Sequence, residues 1–280
     1  MSKSITTTQE IQFPSDKSIP DFFREFARKN PDSSALIYQG KTMTYRELDE
    51  KSDLLALGLI KLGIGKEDFV ALCLDRSFEM MVGIFGIMKA GGAYVPIDVD
   101  YPSDRLEFMI EDAQAKVILT QNNLRHRIPD TGAHIINMDS DWWRLEKEFD
   151  IKTPIEVKIQ PDQLAYMIYT SGSTGKPKGC MLTHENVMNQ LEGQQAIAPT
   201  PIGRMILTCS ISFDVSVLTI FWTLLQGAPL VLPKQGDEKD MVRLSQLVEK
   251  EQVTHMLTLP SLYVLLLDQA EPATLDSLRL

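Results

Sequence analysis

The stretch "DFVALCLDRSFEMMVGIFGIMKAGGAYVPID", Asp68 to Asp98, decides the fold class. Its first residues make a short apolar run of strand length. "FEMMVGIFGIMKAGG" reads as a helix stopped by Gly91 and Gly92, and "AYVPID" as a second strand. Strands alternating with helices imply βαβ units and parallel sheets covered on both faces.

The same rhythm extends outward. Upstream, "MTYRELDEKSDLLALGLIKLG" opens with Thr44 and Glu47 at capping-box spacing and then runs Leu48, Leu54, Leu55, Leu57, Leu59, Ile60 and Leu62, a helix with a broad apolar face. Downstream, "YPSDRLEFMIEDAQ" is a helix with Pro102 near its start, and "AKVILT" and "HIINM" are strands. After a polar connection around Asp150 to Asp162, "LAYMIY" is a strand, "THENVMNQLEGQQ" a helix and "RMILTC" a strand. A helix from Asp214 to Gln226 ends at Gly227. "PLVL", "MVRLSQLVEKE", "VTHMLTL" and "PSLYVLLLDQA" follow as strand, helix, strand and helix. The fold class is α/β, with parallel-rich sheets flanked by helices. Residues 1–19 are expected to form a flexible leader and residues 20–280 a single, partial domain. At "TLDSLRL" the rhythm calls for another strand, so the domain is expected to be cut there.

A net charge of −10 lacks the basic footprint that sequence-independent nucleic-acid binding needs. "MSKSITTTQE" has no apolar signal core, and the most apolar stretch, Val215 to Leu225, is too short to span a bilayer. Neither nucleic acid nor membrane is expected as a partner. The three cysteines, Cys73, Cys180 and Cys209, are scattered and have no histidine at metal-ligand spacing. They suit a reducing cytoplasm, and all three are expected to pack as small core residues.

"YTSGSTGKPKG", Tyr169 to Gly179, carries the chemistry. Glycines let backbone N–H groups approach an anion, and Thr170, Ser171, Ser173 and Thr174 add hydroxyl donors. Lys176 and Lys178 add charge, so the loop suits a polyphosphate. A flexible surface turn is the alternative for so Gly/Ser-rich a stretch. A P-loop fails on spacing: with Gly175-Lys176 as its core it needs glycine at 170 and Ser/Thr at 177, where this chain has Thr170 and Pro177.

"LAYMIYTSGSTGKPKG" resembles the phosphate-loop signature of adenylate-forming enzymes, which include acyl-CoA synthetases, luciferases and the adenylation domains of nonribosomal peptide synthetases. "MTYREL", "MKAGGAYVPID" and "FDVS" (Phe213 to Ser216) resemble three further motifs of the peptide-synthetase branch, in the same order. The resemblance implies ATP-dependent activation of an amino-acid carboxylate as an aminoacyl-adenylate, with ATP and Mg²⁺ as cofactors. It implies transfer to the phosphopantetheine thiol of a carrier protein. By it, Thr170, Ser171, Gly172, Ser173, Thr174, Gly175, Lys176 and Lys178 would grip the β- and γ-phosphates, and Thr170 would also touch the metal. Asp214 would pair with the substrate's α-amino group; as a residue at a helix start it equally suits an N-cap. Val215, Leu218 and Thr258 would line the side-chain pocket; the alternatives are core packing for the first two and a plain strand position for Thr258. His184 is expected to play a structural part at a helix start.

The family continues with an adenine-binding stretch, a ribose-binding aspartate and a small domain carrying a catalytic lysine. None of these is found in the 280 residues, so no catalytic residue is assigned, and the fragment alone is expected to be inactive. The missing half is itself a candidate partner. Two other readings remain: a fragment of an acyl-CoA, aryl-acid or D-alanine–carrier-protein ligase, or a non-enzymatic remnant that binds a nucleotide or a partner protein.

Overall fold

The computed structural model describes residues 16–98, 100–171 and 176–279. From the amino end run α1 (Ile19–Lys29), β1 (Ser34–Tyr38), β2 (Lys41–Thr44) and α2 (Tyr45–Lys61). The βαβ unit read first in the sequence follows as β3 (Phe69–Leu72), α3 (Phe78–Lys89) and β4 (Ala93–Pro96). Next come α4 (Ser103–Asp112), β5 (Val117–Thr120), β6 (His134–Asn137) and α5 (Trp142–Glu148). The second half holds β7 (Leu164–Thr170), β8 (Lys178–Thr183), α6 (His184–Ile197), β9 (Met205–Leu207) and α7 (Asp214–Leu225). It ends with β10 (Leu230–Leu232), α8 (Met241–Lys250), β11 (His255–Leu257) and α9 (Pro260–Gln269).

Local chemistry sets the helix boundaries. The capping box of α2 forms as its spacing predicts: Glu47 N–H donates to Thr44 Oγ1 at 3.2 Å, and Thr44 N–H donates to Glu47 Oε2 at 2.7 Å. Ser77 Oγ accepts from Met80 N–H to start α3, and Gly91, left-handed at φ +86°, ends it. Ser18 caps α1 by accepting from Asp21 N–H. Ser18 and Ile19 are fully buried, so the packed structure begins inside the span expected as leader.

The strands form two sheets. The larger has the order β6-β5-β3-β4-β7-β8, parallel except for β8, and the smaller has the order β11-β9-β10-β1-β2, parallel except for β2. The two antiparallel edges are absent from the sequence reading. β8 is the strand "KGCMLT", half exposed and without apolar alternation, and β2 is four residues at a hairpin whose turn, Gln39-Gly40, has positive φ at both positions.

Side-chain alternation sorts the molecule into five layers. Val70, Leu72, Val117, Leu119 and Tyr166 of the larger sheet face the central core, while Ala71, Ile118, Met167 and Tyr169 face α4 on the outside. In the smaller sheet Leu36, Met205 and Leu230 face the same central core, and Ile37, Ile206 and Val231 face α8 and α9. Helices α2, α3 and α7 contribute their buried residues to the central core, packed around Phe23, Phe85 and Phe221. The fully buried Lys89 is held there by Asp49 (2.5 Å), Asp53 (2.7 Å) and the Asp49 carbonyl.

Only one cysteine is a core residue. Cys73 is buried, and burial pushes its thiol up to about 12. Cys180 is exposed, because β8 is an edge strand, and Cys209 is half buried beyond the end of β9. Among the described residues no helix is long and apolar enough to cross a membrane.

Candidate active site

The parallel strands of the larger sheet all finish at one edge, and their carboxyl ends form the crevice where α/β folds place ligands. At β7 the chain leaves this edge and returns directly as β8. Thr170 pairs with Lys178 and Tyr169 with Gly179, so β7 and β8 are the two arms of an antiparallel pair, one on each side of residues 172–175. No helix begins directly after Lys176; β8 follows, and α6 starts only at His184.

Both sides of the hairpin base are fixed. The Tyr169 hydroxyl donates to Asp112 Oδ2 at 2.7 Å and to the Met109 carbonyl at 3.2 Å, tying β7 to α4. Burial, then the Asp112 carboxylate, pushes that hydroxyl far above the usual tyrosine range. A Cβ at Gly179 would press on the Met167 sulfur, so the end of that flexible side chain would have to shift. Thr170 Oγ1 donates to the Lys178 carbonyl at 3.4 Å. Thr170, Ser171, Lys176 and Lys178 are exposed, and Lys176 Nζ lies 5.7 Å from the centre of the Phe108 ring. Gly172, Ser173, Thr174 and Gly175 lie outside the described residues.

A cavity of about 300 Å³ opens at the same edge, between the ends of β3 and β4 on one side and those of β9 and β11 on the other. Asp214, Val215 and Thr258 line it. Leu218 does not; it is half buried and packs against the central core. The pocket expected from Val215, Leu218 and Thr258 thus receives two of the three, because the Leu218 side chain is taken up by packing behind the helix.

Asp214 is the first residue of α7, and the N-cap position belongs to Phe213. Its carboxylate is exposed and accepts from the Val215 N–H at 2.9 Å through Oδ1. An acidic side chain in the first turn complements the positive end of the helix dipole. Its field reaches into the site: burial first, and then the Asp214 charge, raises the hydroxyl of Tyr166 on β7. The same two influences raise the Cys209 thiol, which also lines the cavity.

Sequence reasoning passed over Arg76 and Glu238, which line the cavity as a buried pair at 2.9 Å. No local pattern marks them, since their partners come from distant segments. His184 is buried, with its ring lowered by burial to about 3, so it stays neutral at physiological pH. That agrees with a structural part for it. For Mg²⁺ the donor set is thin. Among the described residues no group of three His, Cys, Asp or Glu could hold an ion, and Thr170 offers one exposed hydroxyl. A single hydroxyl fits an ion that arrives with most of its ligands already supplied by phosphates and water.

Residues 23–280 match the family described as AMP-binding enzyme. The chain is 38% identical over 274 residues to gramicidin S synthase 2 of Brevibacillus brevis, covering 96% of this chain and 6% of that one. Among solved structures it matches the nonribosomal peptide synthetase FmoA3 (S1046A) at TM-score 0.86 and 30% identity, over 94% of this chain and 28% of that one. A further form of FmoA3 is AMPPNP-bound. It also matches the N-terminal subdomain of Klebsiella oxytoca NpsA at TM-score 0.83 and 27% identity, over 94% of this chain and 66% of that one. The same subdomain is known in complex with 3-hydroxybenzoyl-AMSN. The chain therefore spans only a small part of gramicidin S synthase 2 and about two thirds of the NpsA subdomain.

Proposed function

The chain belongs to the AMP-binding enzyme family, and on that premise we propose that it supplies the phosphate grip and the amino-group anchor of an amino-acid adenylation domain in nonribosomal peptide synthesis. A carboxylate oxygen of the amino acid attacks the α-phosphorus of ATP. The bond from that phosphorus to the bridging oxygen breaks, and pyrophosphate leaves with the electron pair. Two anions meet in this step, so the protein must screen charge and orient both partners.

Thr170, Ser171, Lys176 and Lys178, with residues 172–175 between them, receive the β- and γ-phosphates. The Thr170 hydroxyl would help to hold Mg²⁺ brought in with the triphosphate, which would supply charge neutralisation there. Asp214 takes the ammonium group, Val215 and Thr258 flank the side chain, and Leu218 supports the helix from behind. A carrier-protein phosphopantetheine sulfur then attacks the acyl carbon and AMP departs. The complete adenylation domain contributes further groups to the same reaction.

One observation carries this reading: an exposed carboxylate, Asp214, lines a cavity at the edge where the hairpin bearing both lysines emerges. The experiment is ATP–pyrophosphate exchange by the complete adenylation domain against a panel of amino acids. Exchange that depends on one amino acid and collapses in Asp214→Asn supports the reading. The NpsA complex with 3-hydroxybenzoyl-AMSN favours a second reading, an aryl-acid ligase. Exchange with aryl acids, unchanged in Asp214→Ala, would establish that one instead.

A further inference from the structure

Arg76 leaves the carboxyl end of β3 in the larger sheet, yet its guanidinium bonds only to groups beyond the strands of the smaller one. Nη1 lies 2.9 Å from Glu238 Oε1 and donates to Gln235 Oε1 at 3.3 Å, and Nη2 donates to the Thr208 carbonyl at 3.1 Å. The side chains of Arg76 and Glu238 are 6% and 7% exposed. Glu238 Oε2 in turn accepts the Gly236 N–H at 2.8 Å, and the Thr208 hydroxyl donates to the Leu257 carbonyl at 2.9 Å. The segments that follow β9, β10 and β11 thus form one bonded rim, with Arg76 as its link to the other sheet. Arg76, Thr208, Gln235 and Glu238 all line the cavity that Asp214 lines.

A buried ion pair adds little net stability, because desolvation offsets the Coulomb attraction. A planar fork with several fixed donors supplies geometry instead. The hairpin base at Thr170 belongs to the sheet that carries Arg76, two strands away through β4. Asp214 follows the connection from β9, whose first carbonyl, that of Thr208, accepts from Arg76. We infer that Arg76 and Glu238 are positioning residues: their pair sets the spacing between the Asp214 anchor and the Thr170 end of β7, and hence between the amino-acid carboxylate and the nucleotide. This rests on the adenylation reading. Reacting atoms must sit about 3–3.5 Å apart, and a misplacement of about 1 Å costs on the order of 100-fold in rate.

The test is ATP–pyrophosphate exchange and thermal unfolding of the complete adenylation domain. Arg76→Met/Glu238→Leu replaces both charges with apolar groups of similar size, so neither charge is stranded. Its melting temperature is expected to match wild type, its kcat to fall about 100-fold, and both KM values to stay within about twofold. Arg76→Lys keeps a charge facing Glu238 but loses the fork to Thr208 and Gln235; it is expected to fold and to lose about 10-fold in kcat. Wild-type kcat in a double variant of native melting temperature overturns the inference, as does a raised amino-acid KM at unchanged kcat. If the double variant melts early, wild-type kcat in Arg76→Lys has the same force. Loss of exchange in Asp214→Asn, with normal kcat in the Arg76 variants, rejects the positioning role and leaves the adenylation reading intact. The reverse pattern rejects the amino-group anchor.

Discussion

The Asp214 carboxylate is exposed at the first turn of α7, with only the adjacent N–H of Val215 on one oxygen. Its removal should therefore cost function far more than folding. Asp214→Asn is expected to lower kcat/KM by about 100-fold, the worth of one charge-assisted hydrogen bond to an ammonium. The loss of stability should be about 0.5 kcal/mol, from the helix-end charge alone. Exchange kinetics and urea unfolding on the same preparation separate the two; a large loss of stability at unchanged kcat/KM would make the residue a helix-start device only. His184 gives a second residue-scale expectation. Its folded value of about 3 lies below the ordinary 6.5, so the unfolded chain binds the proton first as pH falls. The stability it contributes is fully present above about pH 6.5 and is lost progressively down to about pH 3. Between pH 8 and pH 5 the loss is about 2 kcal/mol, and His184→Gln should abolish that part of the slope in urea titrations. Parallel slopes for the two proteins would refute the assignment. At this scale the sequence is legible where chemistry is local. The hydroxyls and lysines of the hairpin, Asp214, Val215 and Thr258 stand in short motifs, and the structure brings the last three onto one cavity. Arg76 and Glu238 form a pair only through tertiary contact, so no spacing reveals them.

Among the elements, most of those that bury a face are declared by the sequence; α1 and β1, which bury Phe23 and Leu36, are exceptions that it leaves unread. The capping box of α2, the glycine stop of α3 and the apolar cores of β3, β5, β7 and β10 fall where periodicity and caps put them. The strands β2 and β8 escape because an edge strand buries little and shows no alternation. The half-exposed β8 pairs antiparallel with β7 from Lys178 onward and leaves Cys180 in solvent. Helices α1, α2 and α3 are joined by charge in the core. Lys89 at the end of α3 meets Asp49 and Asp53 of α2, and Arg24 of α1 donates to Asp53 at 2.9 Å. Lys89→Met would leave Asp49 and Asp53 with only the partly exposed Arg24 to offset them, and removing one partner of a buried pair costs about 3–5 kcal/mol. The expected outcome is a loss of about 3 kcal/mol in urea unfolding. Asp53→Asn should lose less, because Asp49 still neutralises Lys89. Equal effects of the two variants would show that the aspartates do not share the charge.

For the whole molecule, the alternation of strand and helix is legible as α/β, but the number of sheets is not. Residue periodicity says which faces are apolar; it does not say that Leu36 and Val70, on different sheets, face a common core across α3 and α7. That arrangement puts the cavity between sheets, with walls of unequal completeness. The Arg76 side is closed by buried groups, whereas on the α9 side Leu259 lines the cavity while 54% exposed. Val264, Leu265 and Leu267 continue the exposed apolar surface along α9. Water therefore has access from that side, and transfer to a phosphorus centre between two anions needs water replaced by fixed dipoles. The 280 residues span 66% of the NpsA subdomain, which leaves a third of that subdomain without a counterpart here. The chain by itself is accordingly expected to give no amino-acid-dependent ATP–pyrophosphate exchange above background, even at saturating ATP. The complete domain, assayed beside it, should exchange normally, and near-UV circular dichroism of the short chain should show fixed aromatic packing around Phe23, Phe85 and Phe221. Turnover by the short chain at a rate comparable to the complete domain would mean that the open α9 side does not limit the chemistry, and that the groups gathered around Asp214 and the hairpin suffice.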